Sequence, residues 1–306
     1  MRKAALAAIA ALVEENPAVV FIGSDLGAGT LADAARRHPD RVLMEGIAEQ
    51  HIVGCAAGLA LEGFIPYVHT ISTFLTRRAL EQVIVDVALH NLPVRLVGAG
   101  GGMVYAPLGP THEAIDDFAL MRAIPGMSVI APADPREMTE CIRHLASASG
   151  PAYVRIAKGG EPDVTGELPQ SPWGQPRVVL TGDTLAVLTT GALLHECLPA
   201  VQSARQGGHD VGLWHIPVLA PVAEGSLDAL LAGRHTVLVV EEHIPTGGLS
   251  TIVAEAIAER GLPTRLHRLT LPHRYPEKYG SQREHWELHG LSAAGITARI
   301  EAILRD

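Results

Sequence analysis

Glu49 is the residue of this sequence best placed to do chemistry. It sits in Gly46-Ile47-Ala48-Glu49-Gln50-His51, directly ahead of Ile52-Val53-Gly54-Cys55-Ala56-Ala57-Gly58-Leu59-Ala60-Leu61-Glu62-Gly63. That run of small and apolar residues holds no Lys or Arg and reads as a buried helix. An ionised carboxylate buried there without a partner costs on the order of several kcal/mol. Glu49 must therefore lie near the surface, at a helix N-terminus, or beside a group that shares a proton with it. An acidic first turn is favoured by the helix dipole and needs no function. The shared proton is the alternative that does chemistry.

Other chemistry-bearing residues follow. Ser72-Thr73-Phe74-Leu75 closes an apolar strand, and Arg78-Ala79-Leu80-Glu81-Gln82 and Asp86-Val87-Ala88-Leu89-His90-Asn91-Leu92-Pro93-Val94 come next. Gly109-Pro110-Thr111-His112 then forms a turn that would carry His112 on a rigidly placed loop. Taken singly, Phe74 reads as core and Arg78 as solvated charge. Two glycine-rich runs also follow strands. Gly27-Ala28-Gly29-Thr30-Leu31-Ala32, with Glu45 beyond it, fits a loose dinucleotide fingerprint and makes an NAD-binding dehydrogenase a rival reading. Asp25 beside that turn would repel a pyrophosphate. Gly98-Ala99-Gly100-Gly101-Gly102 lacks the Lys-Ser/Thr ending of a P-loop.

In order and spacing, the segment from about Asp25 to Lys158 closely resembles the pyrimidine-binding domain of transketolases and of 1-deoxyxylulose-5-phosphate synthases, and the likeness continues more weakly beyond it. Both families use thiamine diphosphate. The resemblance implies that Glu49 touches a ring nitrogen of the cofactor's pyrimidine, shares a proton there and so activates the thiazolium. It places Phe74 as the stacking aromatic, with Ile47 beside it in the cofactor site. Arg78 matches an arginine that holds substrate phosphate, although the chain here is one residue longer before it. Lys158 replaces a second such arginine, and Arg155 lies close by. His112 matches a histidine facing substrate oxygens. Leu108 stands where relatives carry an aspartate that reads an acceptor hydroxyl. The family also has the helix bearing Gly54 and Gly58 cross a partner subunit, whereas a helix lying close to its own sheet would need the same glycines.

Thiamine enzymes hold the diphosphate through magnesium with Gly-Asp-Gly and a later Asn, and no Gly-Asp-Gly occurs here. The resemblance therefore implies the C-terminal subunit of a split transketolase. No metal ligands are expected on this chain. An N-terminal partner subunit would carry the magnesium and diphosphate site, in a heterotetramer of two copies of each chain. The expected reaction moves a two-carbon ketol unit from a ketose sugar to an aldehyde. The alternative is a decarboxylating carboligase that takes a 2-oxo acid.

The elements that must position these residues follow from patterning. The 306 residues are 47% hydrophobic and 19% charged, with a net charge of −9 and no basic run, which excludes a nucleic-acid partner. No apolar stretch is long enough to span a membrane. Cys55, Cys141 and Cys197 lack metal-like spacing and read as reduced thiols of a cytoplasmic protein. Met1-Arg2-Lys3 and the apolar residues after it mimic a signal peptide, but Glu14-Glu15-Asn16-Pro17 makes residues 2–15 a first helix.

Strands are expected at 19–24, 41–45, 64–70, 94–99, 128–131 and 152–156, with helices at 31–37, 47–61, 78–90 and 135–148 between them. After the Gly- and Pro-rich stretch 159–177 the alternation resumes: strands at 185–188, 211–215, 237–241 and 265–269, helices at 194–205, 226–231, 249–260 and 293–304. The pattern is α/β, with parallel sheets covered on both faces. It divides into a pyrimidine-binding domain at 1–160, a linker at 161–176 and a smaller transketolase C-terminal-like domain at 177–306.

Overall fold

The computed structural model describes residues 1–24, 28–166, 168 and 171–305. The first half supplies β1 (Val19–Gly23), β2 (Val42–Met44), β3 (Ile65–Ile71), β4 (Arg95–Ala99), β5 (Ser128–Ile130) and β6 (Ala152–Ile156). The second supplies β7 (Arg177–Leu180), β8 (Leu185–Thr189), β9 (Val211–His215), β10 (Val218–Ala220), β11 (Thr236–Val240) and β12 (Arg265–Leu269). One sheet has the order β10-β5-β6-β4-β3-β1-β2 and the other β12-β11-β8-β9-β7. All pairings are parallel except β10 on β5 and β7 on β9.

Period-two alternation sends neighbouring side chains of β1 to opposite faces. Val20 and Ile22 join Ile52, Val53, Leu75 and Val83 on one side, whereas Val19 and Phe21 join Leu6, Ile9, Leu31 and Ile142 on the other. Helices Arg2–Glu15, Ala28–Arg37 and Pro135–Leu145 thus cover one face, and Glu49–Leu61 covers the other together with the helical segment after β3. The core that holds Ile22 and Ile52 continues through Leu219 to Val237 and Val239, so apolar packing runs unbroken between the two sheets.

Three features depart from the expected elements. The short antiparallel edge strands β7 and β10 lie outside the expected set, and β10 brings second-half residues into the first sheet. Short helices at Asp117–Arg122 and Gln282–Leu288 are likewise additional. Finally, the helix expected at 78–90 is two π-helical turns, Phe74–Arg78 and Val83–Ala88, flanking Leu80–Gln82. The Ala79 N–H bonds the Phe74 carbonyl at 3.2 Å, so a widened turn takes up the extra residue before Arg78. Among the described residues no helix is long and apolar enough to cross a membrane.

Candidate active site

The residues singled out from sequence gather where ligands bind in open α/β sheets, beyond the carboxyl ends of the strands. Glu49 is the first residue of helix Glu49–Leu61 and only 1% exposed. Thr70, near the end of β3, donates its hydroxyl to Glu49 Oε1 at 3.1 Å, and Arg78 Nη1 donates to Oε2 at 2.5 Å. The carboxylate is therefore at a helix start, buried and paired at once.

The Arg78 guanidinium carbon also lies 3.7 Å from the centre of the Phe74 ring, and the Arg78 side chain remains 40% exposed. Phe74 meets His112 edge-on, with ring centres 5.2 Å apart. Burial and the nearby Arg78 charge both lower the His112 pKa, and Thr111 Oγ1 lies 2.9 Å from its Nδ1. Glu49, Arg78, Phe74 and His112 thus form one connected group. Ile47 and Leu108 are exposed at 68% and 54%, and Lys158 is exposed just past β6.

Arg155 requires a correction. Its Nη2 donates to the carbonyls of Ala114 at 2.8 Å and Glu242 at 3.0 Å, and its Nε lies 3.1 Å from Asp117 Oδ2. The guanidinium also covers the Phe118 ring at 4.2 Å. Engaged in this way, it holds the two halves together and is not free to take a substrate phosphate. Burial raises the Asp117 pKa, with Arg155 opposing. The glycine-rich loop after β4 exists for this packing: a side chain at Gly101 would collide with Arg155, and one at Gly102 with Glu242. Glu242 in turn accepts from the Met103 N–H at 2.9 Å and from Trp286 Nε1 at 2.8 Å. Glu241 accepts from the N–H groups of Leu249 and Ser250, which start the next helix.

Sequence reasoning passed over Arg77, Glu113 and Asp116. Arg77 reaches Asp116 with Nε and Nη2 and the carbonyls of Pro110 and Glu113 with Nη1 and Nη2. Both Glu113 carboxylate oxygens are buried without a hydrogen-bond partner, and burial pushes its pKa up to about 7 against the influence of Arg77. Their nearness to Arg78 and His112 in the chain was the available signal. Among the described residues no group of three His, Cys, Asp or Glu is arranged to hold a metal. A buried carboxylate beside an aromatic face fits the pyrimidine end of thiamine diphosphate; no cluster among the described residues fits its metal-bound end. Asp25 and Gly27 of the dinucleotide-like run lie outside the described residues.

Residues 1–161 match the transketolase pyrimidine-binding domain and residues 174–296 the transketolase C-terminal domain. One of the separate subunits of an apulose-4-phosphate transketolase, from Actinobacillus succinogenes, is 32% identical over 91% of this chain and 89% of that protein. 1-Deoxy-D-xylulose-5-phosphate synthase 1 of Geobacter sulfurreducens is 35% identical over 97% of this chain but 47% of its own length, so the chain spans about half of that synthase. A solved split gene transketolase, an inactive β4 tetramer, superposes with a TM-score of 0.89 at 28% identity, over 98% of this chain and 97% of that one. These likenesses set the dehydrogenase reading aside. The chain belongs to the transketolase family, of which it carries the pyrimidine-binding and C-terminal domains.

Proposed function

We propose that this chain is the C-terminal subunit of a split, thiamine diphosphate-dependent transketolase that moves a two-carbon ketol unit from a ketose donor to an aldehyde acceptor. The observation that carries the reading is the buried Glu49 carboxylate at a helix start, next to the Phe74 ring and tied to it by a half-exposed arginine. Bound thiamine diphosphate supplies a nucleophilic carbon able to break and remake a carbon–carbon bond. Glu49 holds a proton for a pyrimidine ring nitrogen, and Phe74, with Ile47 close in sequence, offers an apolar face to that ring. Arg78 now covers both Glu49 and Phe74; moving it off releases a carboxylate and an aromatic face to the base, and a cation to a substrate anion. Lys158 adds a second positive charge. With its lowered pKa, His112 is neutral at neutral pH and can hydrogen-bond substrate oxygens.

A partner subunit with the magnesium and diphosphate site completes the enzyme in a cytoplasmic heterotetramer of two copies of each chain. The separately encoded Actinobacillus relative and the inactive single-subunit tetramer support this division. So does helix Glu49–Leu61: a Cβ at Gly54 or Gly58 would meet nothing within 4 Å, so their own sheet does not require these glycines. A second reading is favoured by the synthases at 34–36% identity: a carboligase that takes a 2-oxo acid and releases carbon dioxide. A carbon dioxide assay separates the two.

Titration calorimetry with thiamine diphosphate and magnesium tests the proposal. Binding should be weak to the chain alone and tight once the partner is present. Full turnover by this chain alone overturns the split-enzyme reading, and tight NAD binding restores the dehydrogenase.

A further inference from the structure

Segment 108–113 carries the two side chains assigned to the substrate's far end, Leu108 and His112, yet almost no regular structure holds it. Its backbone bonds are short-range turns, such as Gly109 N–H to Ala106 and His112 N–H to Gly109. Arg77 is what ties it down. One guanidinium bonds the Pro110 carbonyl at 3.1 Å, the Glu113 carbonyl at 2.9 Å and the Asp116 carboxylate at 2.7 Å, pinning the segment at both ends of its turn. Only the planar fork of an arginine reaches three such acceptors together.

Packing does not back this clamp. Beyond it lies a cavity of about 420 Å³ bordered by Ile115, Asp116, Ile244, His273, Arg274 and Tyr275, into which a released loop could relax. The C-terminal domain closes the other side. The Tyr275 ring centre is 5.9 Å from the Arg77 guanidinium carbon. The Tyr279 ring lies against Gly109, where φ is +83° and an added Cβ would come within 2.7 Å of the ring. The π-helical turn at Phe74–Arg78 sets two adjacent arginines to separate tasks, Arg78 on Glu49 and Arg77 on the loop.

We propose that Arg77 is the positioning residue for His112 and Leu108, and that the C-terminal domain completes its clamp through Tyr275 and Tyr279 and so governs how the acceptor is read. The proposal rests on the transketolase reading of the site. It gives the C-terminal domain a part in selectivity without any contact between that domain and the reacting atoms.

The test uses the enzyme assembled with its partner and the variants Arg77→Met, Arg77→Lys, Tyr275→Ala and Tyr279→Ala. Hydrogen–deuterium exchange at the thiazolium carbon needs Glu49 but no acceptor, and it should stay at the wild-type rate in all four. kcat/KM for the acceptor should fall about ten- to a hundred-fold in Arg77→Met, mainly through KM, because misplacement of this order by about 1 Å has that effect. Arg77→Lys should recover part of the loss, and the tyrosine variants should lose several-fold and combine non-additively with Arg77→Lys. In the chain alone, NMR titration of His112 should move up toward ordinary histidine as the loop leaves Phe74. Unchanged acceptor kcat/KM in folded Arg77→Met overturns the proposal, as does exchange that falls in step with transfer. Should Arg77→Met fail to fold, unchanged acceptor kcat/KM in Tyr279→Ala, altered at an exposed residue, overturns it alone. Wild-type enzyme without thiazolium exchange would instead refute the transketolase reading.

Discussion

Two buried glutamates of this chain, each bonded to an arginine, occupy different kinds of place. Glu49 lies in the cleft beyond β3, and Glu137 lies in the seam between the two sheets. Glu137 accepts from the Ala133 N–H at 2.7 Å, from Arg177 Nη1 at 2.8 Å and from His215 Nε2 at 2.9 Å. Those three groups are themselves buried, and they join helix Pro135–Leu145 to β7 and β9. Glu49 has a hydroxyl and one arginine, and that arginine is half in solvent. Burial and pairing alone therefore do not mark a functional carboxylate. What separates the two is whether the partner can leave without stranding a charge.

The largest expected effect tests the open member of the pair. Glu49→Ala should lower turnover of the assembled enzyme by about a hundred- to ten-thousand-fold, the contribution of proton-transfer assistance. The fold should survive, because Arg78 can turn fully into water. Thiazolium hydrogen–deuterium exchange and a thermal melt read the two halves of this statement. Exchange at the wild-type rate would reduce Glu49 to a helix-start carboxylate, and a large loss of Tm would make it a second Glu137.

Glu137→Ala should do the reverse: destabilise by about 3–5 kcal/mol, because it leaves Arg177 and His215 buried and uncompensated, while folded enzyme keeps its kcat. Its pH dependence has a definite sign. Burial alone would raise the Glu137 pKa, but His215, the Ala133 N–H and Arg177 more than offset this and hold it at about 2, below its ordinary 4.5. A depressed carboxylate contributes stability that is present above about pH 4.5 and lost as the pH falls toward 2. Acid unfolding followed by circular dichroism should show that loss in the wild type and a flatter profile in Glu137→Ala. Identical profiles would mean that the seam is held by apolar packing alone.

The same contrast shows what could be read in advance. β6, β9 and β12 were legible to the residue because β-branched and apolar runs end at turn residues. β7 and β10 were not, because they are edge strands of four and three residues paired antiparallel to partners from elsewhere in the chain. Glu49 stood out locally, as a carboxylate set against an apolar helix. Arg155 could not be judged locally: the backbone carbonyls of Ala114 and Glu242 that consume it are 41 and 87 residues away. Nor does sequence order reveal which of Arg77 and Arg78 faces the carboxylate, since the π-helical turn decides that.

Leu108 sharpens the comparison from the rim of the cleft. In the seam a new charge would be buried, whereas Leu108 is 54% exposed and sits in the short turn Ala106–Leu108, so an aspartate there keeps its hydration. The position should therefore change what the site selects and leave stability nearly untouched. If the native acceptor makes no hydroxyl contact there, Leu108→Asp should raise the preference for a 2-hydroxyaldehyde over its deoxy analogue. A hydrogen bond to a charged group contributes about 1.5–3 kcal/mol, which corresponds to a shift in relative kcat/KM of about ten-fold or more. The assay runs both aldehydes against both variants with one donor. A wild type that already favours the hydroxylated aldehyde strongly, with no change in Leu108→Asp, would assign the reading of the acceptor to another residue. Leu108 would then serve only to cover the loop.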